Sequence, residues 1–315
     1  MRTLEPKHSA TAHQPQRADG RPIVVLGAPM ESEALLQGVN LMPAALRGAG
    51  LVEALGAQDL GDLPISITDA RRDPETGLIA YDQICAATDV VRDGVLPLLD
   101  GAALPLIVGG CCGILVGIFA ALTARHGRAG LAFVDGHYDF YDGATSPAGA
   151  LADMELRVLT GTGPAALVEA GSRRPLLEPR DAWGLACRDA WEMTAAGAPD
   201  PLTEIDAAHF RDDETVRATG PATIGGEAAA ALAAGPGRFW AHVDLDALST
   251  EAMPAVDYLL PGGLGWSELT ALLRPLTASP ALLGLDVTIY NPSLDPQRRL
   301  APRIVRLLAE GLGLA

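Results

Sequence analysis

Several whole classes of protein are excluded by what this chain has little of. Its 315 residues hold four cysteines, Cys85, Cys111, Cys112 and Cys187. Two of them are neighbours, a poor geometry for a mutual disulfide, and no CxxC pair occurs. The count suits a reducing cytoplasm better than a secreted scaffold. No stretch reaches the ~18 uninterrupted apolar residues of a membrane-spanning helix. The polar N-terminus, with Arg2, Glu5 and Lys7, lacks the apolar core of a secretory signal. Basic residues are outnumbered: 23 Lys and Arg stand against 39 Asp and Glu, a formal net charge of -16. That balance argues against nucleic acid and anionic membranes as partners, and it favours cations only weakly.

What is present describes a globular body, 49% apolar and 20% charged. Residues 1–20 are polar and without pattern, and read as a flexible tail in which His8 and His13 are solvated. From 21 to 315 short β-rich runs alternate with amphipathic stretches. The spacing predicts strands over 22–29, 104–110, 130–137, 183–189, 238–246 and 282–290. It predicts helices over 42–56, 79–99, 113–127, 152–161, 225–235, 266–276 and 302–313. Continuous apolar strands separated by helices indicate a parallel sheet covered on both faces. No repeat or linker divides the chain, so a single α/β domain with a mainly parallel sheet is expected.

Functional residues in such sheets gather beyond the carboxyl ends of the strands. Three predicted strands end in reactive groups: GGCCG at 109–113, DGHYD at 135–139 and HVDLD at 242–246. Residues two apart on an extended chain point to one side, so Asp135 and His137 can face one point, as can Asp244 and Asp246. Asp139 can curl back over them. Four carboxylates and an imidazole cannot remain ionised together in a confined site without cations. Oxygen-rich donors with few imidazoles suit Mn²⁺, and two ions sharing carboxylates is the economical arrangement.

These residues resemble the ureohydrolase family of arginase, agmatinase and formimidoylglutamase. DGHYD is similar to the family's DAHxD, HVDLDAL to SxDxDxxDP, and PGGLGWSEL (261–269) to the segment that follows it. GVNLMPAALRGAGL (38–51) and GLDVTIYNPSLDP (284–296) resemble further stretches, in family order. The resemblance implies a three-layer α/β/α domain with a mainly parallel, about eight-stranded sheet, and two Mn²⁺ ions per chain. It implies Asp135 and Asp244 as bridging ligands, Asp139 on one ion, and His137 and Asp246 on the other. A water activated between the ions would attack the carbon of a guanidino or related C–N bond, with Asp139 carrying its proton. A homotrimer or homohexamer is implied as well.

Departures from the family pattern bear on function. Cys112 takes the first ligand position, normally His, and three readings stand: ligand, thiol facing the site, or core packing. Cys111 reads as packing. The proton-shuttling His has no counterpart; Ala150 or Ala152 occupies its place. Asp153 beside them reads as a helix N-terminal acid or as a substrate-facing group. Ile289 aligns with the guanidinium-holding Glu, and Asp286 nearby reads as an outer support. Ser249 replaces the Asp of the DP step. Tyr258 lines the pocket or packs at its rim. His242, where the family has Ser, orients a ligand or is simply packed. His126 and His209 read as surface residues. The expectation is a metal-dependent hydrolase of a linear C–N bond in an amidine, guanidino, hydroxyguanidino or amide small molecule. The alternative is a catalytically impaired homologue serving as a regulatory or partner subunit.

Overall fold

The computed structural model describes residues 17–31, 37–205 and 209–314. Eight parallel strands form one sheet in the order β2-β1-β3-β8-β7-β4-β5-β6. They are β1 (Ile23–Ala28), β2 (Gln58–Asp62), β3 (Leu104–Gly109), β4 (Gly130–Val134), β5 (Ala182–Ala186), β6 (Phe210–Asp212), β7 (Phe239–Asp244) and β8 (Leu282–Thr288). β1, β3, β4, β5 and β7 are buried at every residue. Side chains alternate between the faces of a strand, so uninterrupted burial requires cover on both. That cover comes from two sets of helices. Tyr81–Val95 packs on Ile114–His126, while Pro221–Ala234, Trp266–Ala278 and Ala301–Gly311 pack in succession on one another. The result is the expected three-layer arrangement.

Both edges of the sheet escaped the sequence. β2 is QDLGD, exposed along its whole length, and β6 is the three-residue run FRD. Neither carries the apolar run by which a strand is recognised, and each pairs on one side only. β2 is held by Arg47, whose guanidinium meets Asp59 at 2.9 Å and Asp62 at 2.5 Å. The helix expected over 42–56 is broken into Met42–Gly48 and Leu51–Leu55 by Gly50, which sits at φ 87°. The helix Ile114–His126 is buried from Ile114 to Thr123. It therefore lacks an amphipathic stripe and belongs to the core. Among the described residues no helix is long and apolar enough to cross a membrane.

Of the expected tail over 1–20, residues 1–16 lie outside the described residues. Arg17 is 7% exposed and donates to the Thr277 carbonyl at 2.7 Å. That carbonyl is in the last turn of Trp266–Ala278, where intrahelical donors run out and a cation is favoured. Arg17→Ala is expected to cost about 1–3 kcal/mol and to lower the thermal midpoint by a few degrees in calorimetry. An unchanged midpoint would show that solvent caps the helix equally well.

Candidate metal centre

The strands β3, β8, β7 and β4 are adjacent in the sheet, so their carboxyl ends bring four separate chain segments to one place. After β3 the chain passes so close to the backbone leaving β1 that a Cβ on Gly110 would lie 1.9 Å from the Met30 carbonyl. Cys111 N–H donates to that same carbonyl at 2.9 Å. This close approach delivers Cys112 to the sheet end. Beside it, Ile289 leaves β8 at φ 68° with its N–H donating to the Gly110 carbonyl at 2.9 Å. A β-branched residue in the left-handed region is strained and persists only where its surroundings fix it.

The acids of the two main motifs converge for a reason other than strand pleating. β4 ends at Val134, one residue before Asp135, and β7 ends at Asp244. Both segments then turn, and in each the first Asp accepts from the N–H two residues on. His137 N–H donates to Asp135 Oδ1 at 2.6 Å and Asp246 N–H to Asp244 Oδ1 at 2.7 Å. Such a local side-chain turn folds the chain back on itself and lays the two motifs against each other. Gly136 N–H donates to Asp246 Oδ1 at 2.9 Å, and His137 Nδ1 lies 2.8 Å from Asp246 Oδ2. The space a side chain at Gly136 would need is filled by Arg188, whose Nη2 donates to the Asp246 carbonyl at 2.9 Å.

Two groups of close donor atoms result, and they share Asp135. One is Asp135, His137 and Asp246; the other is Cys112, Asp135, Glu155 and His242. Within each, the donor atoms lie within 4.8 Å of one another. Asp139 and Asp244, both expected as ligands, stand outside these groups though inside the same cluster. Asp244 Oδ2 accepts from Thr288 Oγ1 at 2.8 Å and from Cys112 Sγ at 2.7 Å. Asp139, at φ 46°, lines the cleft and sits against the Glu155 carboxyl. Cys112 is buried, lines the cleft and belongs to one of the two donor groups.

The electrostatics of these side chains show how crowded this centre is. Burial, then the Asp246 charge, raises Asp135. Burial, then Glu155 and Asp135, pushes Asp139 well up, and burial, then Asp246 and Asp135, does the same to Asp244. Burial works against a charge on His137, yet Asp246 beside it carries that imidazole up to about 10. Asp246 moves the other way, to about 2: burial opposes its charge, but His137 outweighs it. Several buried polar atoms have no hydrogen-bond partner: Asp135 Oδ2, both Glu155 oxygens, His242 Nε2 and Asp189 Oδ2. Clustered acceptors without donors are what divalent cations satisfy, so these residues fit such ions.

Three members of this centre were not foreseen. Glu155 opens the short helix Glu155–Leu159 and is fully buried; in sequence it reads only as part of an acidic first turn. Asp189, the last residue of the run predicted as a strand and beyond the end of β5 at Ala186, accepts from Tyr138 N–H at 2.9 Å, and burial carries it up to about 6. Arg188 beside it gave no signal. Asp286, expected as an outer support, accepts from Trp240 Nε1 at 2.6 Å and meets His242 Nδ1 at 2.5 Å. His126 and His209 are half-buried and outside both groups, one against Arg238 and one stacked on Trp183.

A cleft of about 240 Å³ opens onto Cys112, His137, Asp139 and Asp246. Ala150, Ala152 and Ile289 form apolar parts of its wall, and Tyr258, 41% exposed, stands at the mouth. Asp153 also lines it, accepting from Ser146 Oγ at 2.6 Å. It precedes the helix rather than capping it. Asp257 lines the outer part; one oxygen accepts from Asn291 Nδ2 at 2.7 Å and the other, buried, has no partner.

Residues 21–312 match the Arginase family. An arginase from Staphylococcus aureus (strain MRSA252) is 26% identical over 306 residues, covering 92% of this chain and 97% of that protein. The native arginase structure from Bacillus caldovelox superposes with a TM-score of 0.81 at 24% identity, covering 93% of this chain and 98% of that one. The formimidoylglutamase structure from Bacillus subtilis subsp. subtilis str. 168 gives 0.70 at 17% identity, covering 98% and 95%.

Proposed function

The chain belongs to the arginase family, whose members hydrolyse C–N bonds other than peptide bonds, and on that premise we propose a two-cation hydrolase of a linear amidine, guanidino, hydroxyguanidino or amide small molecule. One observation carries the reading: Asp135 is common to two groups of donors, several of whose buried atoms lack any partner. Mn²⁺ is the ion the resemblance implies. Asp135 and Asp244 would hold both cations, His137 and Asp246 one of them, and Asp139 and Cys112 the other. When bound, the cations neutralise the acids, acidify a water and polarise the reacting carbon.

The remaining chemistry falls to the protein. Asp139, on the cleft wall, is the acid placed to take a proton from the attacking water and pass it to the leaving nitrogen. Ala152 and Ile289 offer no donor or acceptor, so neither a shuttling imidazole nor a carboxylate anchor acts on the reacting end. Besides Asp139 and Asp246, the acids on the wall are Asp153, Glu192 and Asp257, and among the described residues no Lys or Arg lines the cleft. A neutral or cationic substrate therefore enters more readily than an anion. Asp257 and Tyr258 are positioned for its far end. Arginine is disfavoured because nothing compensates its buried guanidinium beside Ile289. A cytoplasmic homo-oligomer completes this reading, with the free thiols suited to a reducing compartment.

The test is release of urea, ammonia or amine from a panel of guanidino, amidino and amide compounds by the Mn²⁺-loaded protein, arginine included. Turnover of one class well above arginine is expected. Two bound cations with no product from any class would overturn it in favour of a non-catalytic partner subunit.

A further inference from the structure

We propose that Glu155 and His242, with Cys112 and Asp135, form a four-donor cation position in this protein. It rests on the two-cation reading above but changes who holds the first ion. His242 and Glu155 replace the expected pairing of Asp139 and Asp244 there.

Three independent features point at this pocket. Glu155 has 0% exposure, and its carboxyl lies against another acid, Asp139, with no basic donor on either oxygen. A carboxylate left so in a core is costly unless a cation or proton meets it. His242 is also fully buried, and its two ring nitrogens are treated differently. Nδ1 is engaged by Asp286 at 2.5 Å, while Nε2 pairs only loosely with Asp135 Oδ2 at 3.4 Å. A carboxylate that accepts from one ring nitrogen and leaves the other aimed at a cluster of acids is the support metal-binding histidines ordinarily have. Asp286 is itself fixed by Trp240 Nε1 at 2.6 Å, and the His242 ring stacks on Phe133 at 5.1 Å. The imidazole is thereby held in one orientation. Finally, Asp244 is engaged by its own chain: Asp246 N–H donates to one of its oxygens and Thr288 Oγ1 to the other.

The donor set is one thiolate, one imidazole and two carboxylates. Thiolate and imidazole prefer borderline ions such as Zn²⁺ and Co²⁺, whereas the oxygen-richer position at His137 suits Mn²⁺. The two positions of this centre should therefore differ in the ion they take. Glu155 and His242 belong to that preference as much as Cys112 does, because all four donors must be in place to hold the smaller, softer ion.

Titration of the metal-free full chain with Co²⁺ alone tests this. A thiolate-to-cobalt charge-transfer band is expected in the wild-type protein, saturating at one equivalent of two bound. Cys112→Ser should abolish the band. Glu155→Gln and His242→Gln should each weaken Co²⁺ binding at that position by at least about 100-fold, reducing the stoichiometry to one without the band. His137→Ala should lose the other equivalent and keep the band. Glu155→Gln and His242→Gln that still bind two equivalents with an unchanged band would overturn the proposal while leaving the two-cation reading intact. Wild-type protein that binds no Co²⁺ or Mn²⁺ would sink the two-cation reading instead. Should either variant fail to fold, X-ray absorption of the Zn²⁺-loaded wild type decides. To silence the imidazole of the other position, the measurement is repeated on His137→Ala loaded with one equivalent of Zn²⁺: one sulfur with imidazole scattering is expected there, and a shell lacking imidazole overturns the proposal.

Discussion

Asp135→Ala is expected to empty both cation positions and to reduce hydrolysis of the best substrate at least about 1,000-fold, a loss of several kcal/mol in transition-state stabilisation. Asp135 is the residue common to both groups of donors. It also accepts from His137 N–H at 2.6 Å, so its removal takes away a ligand of each ion and the local turn that presents His137. Asp135→Asn separates these contributions. It keeps an oxygen for the turn but removes the charge, so its fold should survive while cation binding falls. Elemental analysis together with product assays checks both variants. Asp135→Ala protein that still carries two cations and turns over at the wild-type rate would show that this centre is not where catalysis occurs.

Removing the cations should have the second-largest effect, on stability, with a pH dependence whose sign is fixed by the buried groups. A cation held at 1,000 times its Kd adds about 4 kcal/mol, so chelation should lower the thermal midpoint by roughly 8 °C or more. In the metal-free chain Asp135, Asp139, Asp244 and Glu155 are all raised above their ordinary values. A group raised in the folded state contributes stability below its unfolded pKa and loses it as pH climbs through the folded value. The imidazoles act in the same direction: His137 is raised to about 10, and His242 is also raised, burial opposed but outweighed by Asp286 and Asp135. Metal-free protein should therefore become less stable from about pH 4 upward, continuing toward about 10. Within the centre Asp246 runs opposite, and only in acid, as pH falls through about 2. With cations the trend reverses, because binding requires the donors to release protons and is favoured by rising pH. Asp244→Asn sharpens the contrast: at pH 8 it should unfold later than wild type in chelator and earlier than wild type in Mn²⁺. Calorimetry across pH, with and without chelator, reads all of this. A metal-free protein that gains stability between pH 5 and 9 would refute it.

The candidate metal centre is thus a balance. The acids that make the metal-free chain strained are the ones that would hold the ions. Strain is visible in the backbone too, where Asp139 and Ile289 occupy the left-handed region at the cleft. Ile289 also marks where the chain departs from the pattern it resembles, since an apolar group stands where a carboxylate anchor is expected.

Much of this was determined by the sequence alone. Apolar strand runs at 23–28, 104–109, 130–134, 239–244 and 282–288 declare themselves because buried parallel strands need apolar side chains on both faces. Asp135, His137, Asp244 and Asp246 are legible because their spacing within each motif is short. A local turn then presents the first and third residue together whatever the rest of the chain does. Tertiary structure decided the remainder. The edge strands β2 and β6 form because a neighbour offers a free ladder, and their own residues carry no apolar signal. Glu155 and His242 become partners of Cys112 only because the crossover after β4, the middle of β7 and the exit of β3 meet in space. No spacing along the chain encodes a contact between segments so far apart, and an acid in the first turn of a short helix looks the same whether it faces solvent or a buried centre.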